Sequence, residues 1–200
     1  MLIYIVIFLS IMSASAVFKP ENFGYIPSIG DWGSPLRVAI EACAIEIFYS
    51  GETVDDFSCP NFAASDATPG NPYGVISDWD VSLVEDMKEI FADLPLDYQT
   101  EFNVDLSKWD VSNVKTMFKT FIGAKKFNSD LSKWDVSKVT SMEDMFKGAS
   151  VFNADLSKWD VSKVTSMYTT FNGATAFNSD ISKWDVSEVT SLLQTFLEAS

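Results

Sequence analysis

Asp155-Leu156-Ser157-Lys158-Trp159-Asp160-Val161-Ser162-Lys163-Val164 decides the fold, because the chain repeats it almost letter for letter. Trp-Asp-Val-Ser begins at Trp79, Trp109, Trp134, Trp159 and Trp184, so the last four copies lie 25 residues apart and the first interval is 30. A fixed period of about 20 to 50 residues marks a solenoid, in which each unit buries its apolar face only against its neighbours. About five units fill residues 73–200.

Within the unit 134–158 the apolar positions are Leu131, just before it, then Trp134, Val136, Val139, Met142, Met145, Phe146, Ala149 and Phe152. The opening L-x-x-W-x-V-x-x-V follows the spacing of a leucine-rich-repeat strand. Trp134 and Val136 alternate with Lys133, Asp135 and Ser137, as a half-buried strand requires. Met142, Met145, Phe146 and Ala149 then fall at i, i+3, i+4 and i+7, which predicts a helix. Thr140 or Ser141 serves as its cap, and Gly148 sits near its end. The expected fold is therefore an α/β repeat: a short leucine-rich-repeat-like solenoid of strand-turn-helix units. Stacking aligns Phe121, Phe146, Phe171 and Phe196 in one internal row and Phe127, Phe152 and Phe177 in another. Asn128, Asn153 and Asn178 follow as an inward ladder bonding backbone groups. Residues 92–101 add five positions to the first interval, and insertions in repeats map to loops on one face.

Upstream, residues 1–16 read as a signal peptide: Leu2 to Met12 is almost uninterrupted apolar, and Ala14-Ser15-Ala16 matches the small-x-small cleavage pattern. No Lys or Arg precedes the apolar run, so an uncleaved membrane anchor is the alternative. Residues 17–72 form an N-terminal cap segment. In it Ser34 and Pro35 open a helix over about 35–49, with Leu36, Ala39, Ile40, Cys43 and Ile47 on one face. This helix shields the first repeat, as terminal solenoid units need. Cys43 and Cys59 are the only cysteines; in an oxidising compartment they are a disulfide candidate.

Net charge is −14 with no histidine. Nucleic acid, whose phosphates need a basic face, is thereby disfavoured as a partner, as is anionic lipid. The commonest general base and zinc ligand is absent. No nucleophile–base pair is evident, and no enzyme activity, metal or cofactor is expected. The acidic pairs Asp55-Asp56 and Glu143-Asp144 have no fixed separation for two-carboxylate chemistry.

Two acidic rows run along the stack. Asp105, Asp130, Asp155 and Asp180 are expected to make Asx-type turn bonds. Asp80, Asp110, Asp135, Asp160 and Asp185 repel one another at parallel-strand spacing and need an offset. Lys108, Lys133, Lys158 and Lys183 lie two residues upstream on the same expected strand face, so a structural Lys–Asp lattice is favoured over a calcium site, for which one Asp per unit is thin supply. The candidate binding face is Lys108, Asp110, Lys133, Asp135, Lys158, Asp160, Lys183 and Asp185.

The unit F-N-x-D-L-S-K-W-D-V-S-x-V-T-S-M-x-x-M-F-x-G-A, here Phe127-Asn128 through Phe146, Gly148 and Ala149, closely resembles the BspA-type leucine-rich-repeat-like surface-protein family. The resemblance covers 73–200. It implies a secreted or cell-surface protein used in adhesion or recognition, with no catalytic residues. Thr116, Lys119 and Thr120 depart from the M-x-x-M-F motif in one unit, and Leu192 and Leu193 in another. The leading expectation is a non-catalytic binding or adhesion module that uses the strand face to take a protein or surface glycan ligand, without membrane insertion after signal cleavage. The alternative is an assembly protein. The repeat stops at Ser200, where Phe-Asn should follow, and an uncapped last unit would stack on another chain; the same stop is also expected of a fragment.

Overall fold

Each repeat closes into one coil made of turns, and the coils stack along a common axis. The computed structural model describes Leu36, Arg37, Ile40, residues 76–92, Leu94 and residues 96–199. The coils are 76–105 (coil 1), 106–130 (coil 2), 131–155 (coil 3), 156–180 (coil 4) and 181–199 (coil 5).

In coil 3, backbone N–H groups close successive turns onto the carbonyl three residues back: Trp134 to Leu131 at 3.0 Å, Val139 to Val136 at 2.9 Å, Met145 to Met142 at 3.1 Å, Lys147 to Asp144 at 3.2 Å, Ala149 to Phe146 at 3.0 Å and Phe152 to Ala149 at 3.0 Å. Between those bonds, alternate N–H groups reach the next coil. Met142 donates to Ser166 O at 3.0 Å, Asp144 to Tyr168 O at 3.0 Å, Phe146 to Thr170 O at 2.9 Å and Gly148 to Asn172 O at 2.7 Å. Backbone polar groups are thus satisfied half within a coil and half between coils.

The expected α/β solenoid of strand-turn-helix units is overturned. Among the described residues the regular structure is one 3-10 turn, Ile76–Asp78, one short helix, Leu96–Glu101, and the helical Leu36, Arg37 and Ile40 ahead of the repeats, with no strand and no sheet. The helical spacing of Met142, Met145, Phe146 and Ala149 fails to make a helix because Asp144 sits at φ 55° and Gly148 at φ 74°. An α-helix needs every residue right-handed. Each left-handed residue ends a turn after one bond and sends the next free N–H toward the neighbouring coil. The same position is left-handed in every coil: Glu89, Lys119, Asp144, Thr169 and Gln194 have φ of 50° to 57°. The expected strand also fails. Trp134 and Val136 are buried and Asp135 exposed, so the alternation is real, but a chain of turns produces it. Pairing between coils is reduced to single parallel bridges, Asp86–Thr116, Thr116–Ser141, Ser141–Ser166 and Ser166–Ser191.

The recurring apolar positions point inward in coils 1 to 4, while in coil 5 Val186, Leu192 and Phe196 are exposed. Phe91, Phe121, Phe146, Phe171 and Phe196 form a column with ring centroids 5.4 to 5.6 Å apart. A second column, Phe102, Phe127, Phe152 and Phe177, has spacings of 5.7 to 6.1 Å. The two columns touch within a coil, as at Phe146–Phe152, 3.9 Å. Such aromatic pairs add about 0.5–1.5 kcal/mol beyond area burial. Each repeat tryptophan after the first is fastened to the coil before it: Nε1 of Trp109, Trp134, Trp159 and Trp184 donates to the carbonyls of Ile76, Leu106, Leu131 and Leu156 at 2.9 to 3.1 Å.

The insertion forms Leu96–Glu101. Gln99 Nε2 donates to Ala92 O at 2.7 Å and to Ile122 O at 2.8 Å, tying the insertion to coil 2. Below coil 1, Leu36 and Ile40 are helical and fully buried, and Arg37 pairs with Glu89 at 3.1 Å. The remainder of the expected helix 35–49, the signal segment 1–16, Asp55-Asp56 and the Cys43–Cys59 pair lie outside the described residues. Among the described residues no helix is long and apolar enough to cross a membrane.

Candidate interaction face

The recurring Asp-x-Ser triplets make two turns per coil. Each aspartate Oδ1 accepts from the serine N–H two residues on, at 2.9 to 3.1 Å: Asp105–Ser107, Asp110–Ser112, Asp130–Ser132, Asp135–Ser137, Asp155–Ser157, Asp160–Ser162, Asp180–Ser182 and Asp185–Ser187. Asp80–Ser82 repeats the bond in coil 1 at 3.0 Å. The row before tryptophan was expected to behave so; the row after it does the same. Hydrogen bonds from Ser137, Ser162 and Ser187 hold the Asp135, Asp160 and Asp185 carboxyls below their usual range, against the weak opposing effect of desolvation. Ser107, Ser132, Ser157 and Ser182 do the same to Asp105, Asp130, Asp155 and Asp180.

All eight residues of the candidate face are exposed. They flank each tryptophan, Lys on one side and Asp on the other, and repeat once per coil. They lie on a corner of turns rather than on a strand. No ion pair within 4 Å joins Lys108, Lys133, Lys158 or Lys183 to Asp110, Asp135, Asp160 or Asp185 among the described residues. Lys108 instead reaches Asp78 at 2.6 Å, and that hydrogen bond raises the Lys108 pKa. Asp78 holds the place that lysine takes in later coils, a pairing detectable in the sequence once the repeats are aligned. Lys133, Lys158 and Lys183 make no ion pair among the described residues. Repulsion along the Asp row is therefore offset mainly by N–H dipoles inside each turn.

Neighbouring columns are occupied structurally. Asn103, Asn128 and Asn153 each accept, through Oδ1, the backbone N–H of the asparagine one coil on, at 2.7 to 2.9 Å. The ladder exists but is exposed, not inward. Thr140, Thr165 and Thr190 hydroxyls donate to the carbonyl one coil back at 3.0 to 3.1 Å. Thr120, Thr170 and Thr195, which break the M-x-x-M-F motif, are buried and donate to Met87, Met142 and Met167 carbonyls at 2.8 to 3.0 Å. Of the acidic pair Glu143-Asp144, Asp144 is buried and bound by Thr169 Oγ1 and Lys147. Among the described residues no three Asp, Glu, Cys or His side chains converge as a metal site.

A family model described as "Mycoplasma protein of unknown function, DUF285" matches residues 70–143 and 93–200. The chain belongs to this family. Its two matched stretches overlap and together take in all five coils of the DUF285 protein. No curated protein and no solved structure matches the chain.

Proposed function

We infer that this DUF285 protein is a BspA-type surface repeat protein that binds a protein or glycan partner without catalysis. The observation behind this reading is the state of the lysine row. Every other polar residue that recurs in the Lys-Trp-Asp-Val-Ser corner has a bond within the stack. Lys133, Lys158 and Lys183 are exposed, repeat at coil spacing, and have no ion pair among the described residues. A row of cations one coil apart, each beside an exposed carboxylate, presents charge of both signs to a ligand. Exposed charges of this kind contribute little to stability, so they are free to serve recognition. The Leu2–Met12 run with Ala14-Ser15-Ala16 supports export to the cell surface or beyond it, where Cys43 and Cys59 can pair.

The test compares the full chain with Lys133→Ala/Lys158→Ala/Lys183→Ala on arrays of surface glycans and extracellular proteins. Loss of at least about tenfold in affinity with an unchanged melting curve is expected, which is about 1.4 kcal/mol. Equal binding by the triple variant excludes this face. N-terminal sequencing of exported protein should begin at Val17; a start at Met1 shows an anchor.

A further inference from the structure

The stack has a problem of its own making: its coils are nearly interchangeable. Phe121, Phe146 and Phe171 are identical, as are the tryptophans, the asparagines and the Asp-x-Ser turns. A slip by one whole coil, within a chain or between two chains, preserves almost every core contact and ladder bond. Misassembly of like units is the characteristic failure of repeat proteins.

One column, half-buried or buried in coils 1 to 4 and exposed in coil 5, differs in every coil. It is the left-handed residue ten positions after each tryptophan: Glu89, Lys119, Asp144, Thr169 and Gln194. Its members bond to each other across two of the correct junctions, coil 1–coil 2 and coil 3–coil 4. Glu89 takes Arg37 at 3.1 Å on one side and Lys119 at 3.7 Å on the other, with all three side chains between 17% and 32% exposed. Asp144, 8% exposed, accepts from Thr169 of coil 4 and is neutralised by Lys147 at 3.1 Å. Buried ion pairs are weak evidence of stability, and fixing register is their best-attested use. The selection here has a definite sign. Stacking coil 1 on coil 3 removes Lys119 from between Glu89 and Asp144 and sets the half-buried carboxylate against the buried one, where like charges repel even with Lys147 beside Asp144.

We propose that the column Glu89–Lys119–Asp144–Thr169 is an order code that specifies which coil stacks on which and penalises a one-coil slip. Asp144 is its centre, since it is both the partner of Thr169 in the correct stack and the repulsive partner of Glu89 in the slipped one.

The experiment refolds the full chain from denaturant at several concentrations. It reads the share of protease-resistant monomer by light scattering after size exclusion. Asp144→Lys replaces the repulsion in the slipped stack with attraction. A several-fold larger share of dimeric or protease-sensitive product is expected, growing with concentration. Asp144→Glu keeps the sign and should refold as wild type. Phe152→Leu, which weakens the core while leaving the column intact, separates misordering from plain loss of stability. Asp160→Lys makes the same charge change on the exposed row. If Asp144→Lys yields no more misassembled product than Phe152→Leu and Asp160→Lys, the order code is overturned.

Discussion

Coil 1 and the coils that follow it use one framework held together in two ways. Residues 76–105 contain nine Asp or Glu and a single Lys, whereas residues 106–200 contain eleven acids and eleven lysines. Five of the six ion pairs among the described residues use a coil 1 acid: Arg37–Glu89, Lys108–Asp78, Lys115–Glu85, Lys119–Glu89 and Lys126–Glu101. Four of these cross the coil 1–coil 2 junction. Apart from the Thr169–Asp144 bond, the later junctions rest on neutral ladders of Asn, Thr and backbone groups and on identical rings. The irregular junction is therefore specified mainly by charge, and the regular ones mainly by repetition outside the left-handed column. Repetition packs well because like shapes nest in register, but it does not encode order.

The largest effect expected belongs to the regular region. Trp159 is 4% exposed and donates to Leu131 O. Trp159→Ala should cost about 3–5 kcal/mol in denaturant unfolding, as a cavity-forming change. Because coils depend on their neighbours, the loss should appear across coils 3 to 5 in hydrogen exchange. A melt that barely moves shows instead that the regular coils do not depend on the tryptophan row.

Acid is expected to act next, and on the same region. Asp130, Asp135, Asp155, Asp160, Asp180 and Asp185, with Asp105 at the end of coil 1, have pKa values lowered by serine hydrogen bonds. A carboxyl lowered by folding stabilises the fold when ionised. That stability is present above the ordinary carboxylate value and is lost as pH falls through the lowered one. The melting temperature should hold down to about pH 4 and fall below it. A flat profile to pH 2 excludes the Asp-x-Ser turns as a source of stability.

A smaller effect distinguishes the irregular region. Gln99 bridges Ala92 O and Ile122 O. Gln99→Ala should cost about 0.5–1.5 kcal/mol by removing two bonds to partly buried carbonyls, with exchange rising at the coil 1–coil 2 junction alone. The smallest effect is that of salt. The pairs Lys108–Asp78 and Lys115–Glu85 are exposed and within reach of screening. Raising sodium chloride should loosen the first junction in hydrogen exchange and leave the later ones unchanged. Uniform loosening removes the contrast between the two regions.

Much of this protein was legible in its letters. The period of 25, the two phenylalanine columns, the inward tryptophans and the outward Asp and Lys rows all follow from spacing and polarity, since identical units stacked in parallel bring like residues together. The Asx bonds before the tryptophans were likewise legible from residue type. What tertiary structure alone decided is the backbone between those positions. Met142, Met145, Phe146 and Ala149 fit a helix and a tight series of turns equally well, because both put every third or fourth residue on one side. The choice fell to turns because Asp144 and Gly148 adopt left-handed φ, which frees alternate N–H groups for the next coil. Lys119, Thr169 and Gln194 hold the same geometry with little intrinsic preference for it, since only Gly and occasionally Asn or Asp visit that region readily. For Lys119 and Thr169 the next coil provides the bond, through Glu143 O and Leu193 O, and no local window of sequence contains that neighbour. The partner of Lys108, the burial of Asp144 and the bridge made by Gln99 were settled for the same reason: each depends on which coil lies above or below.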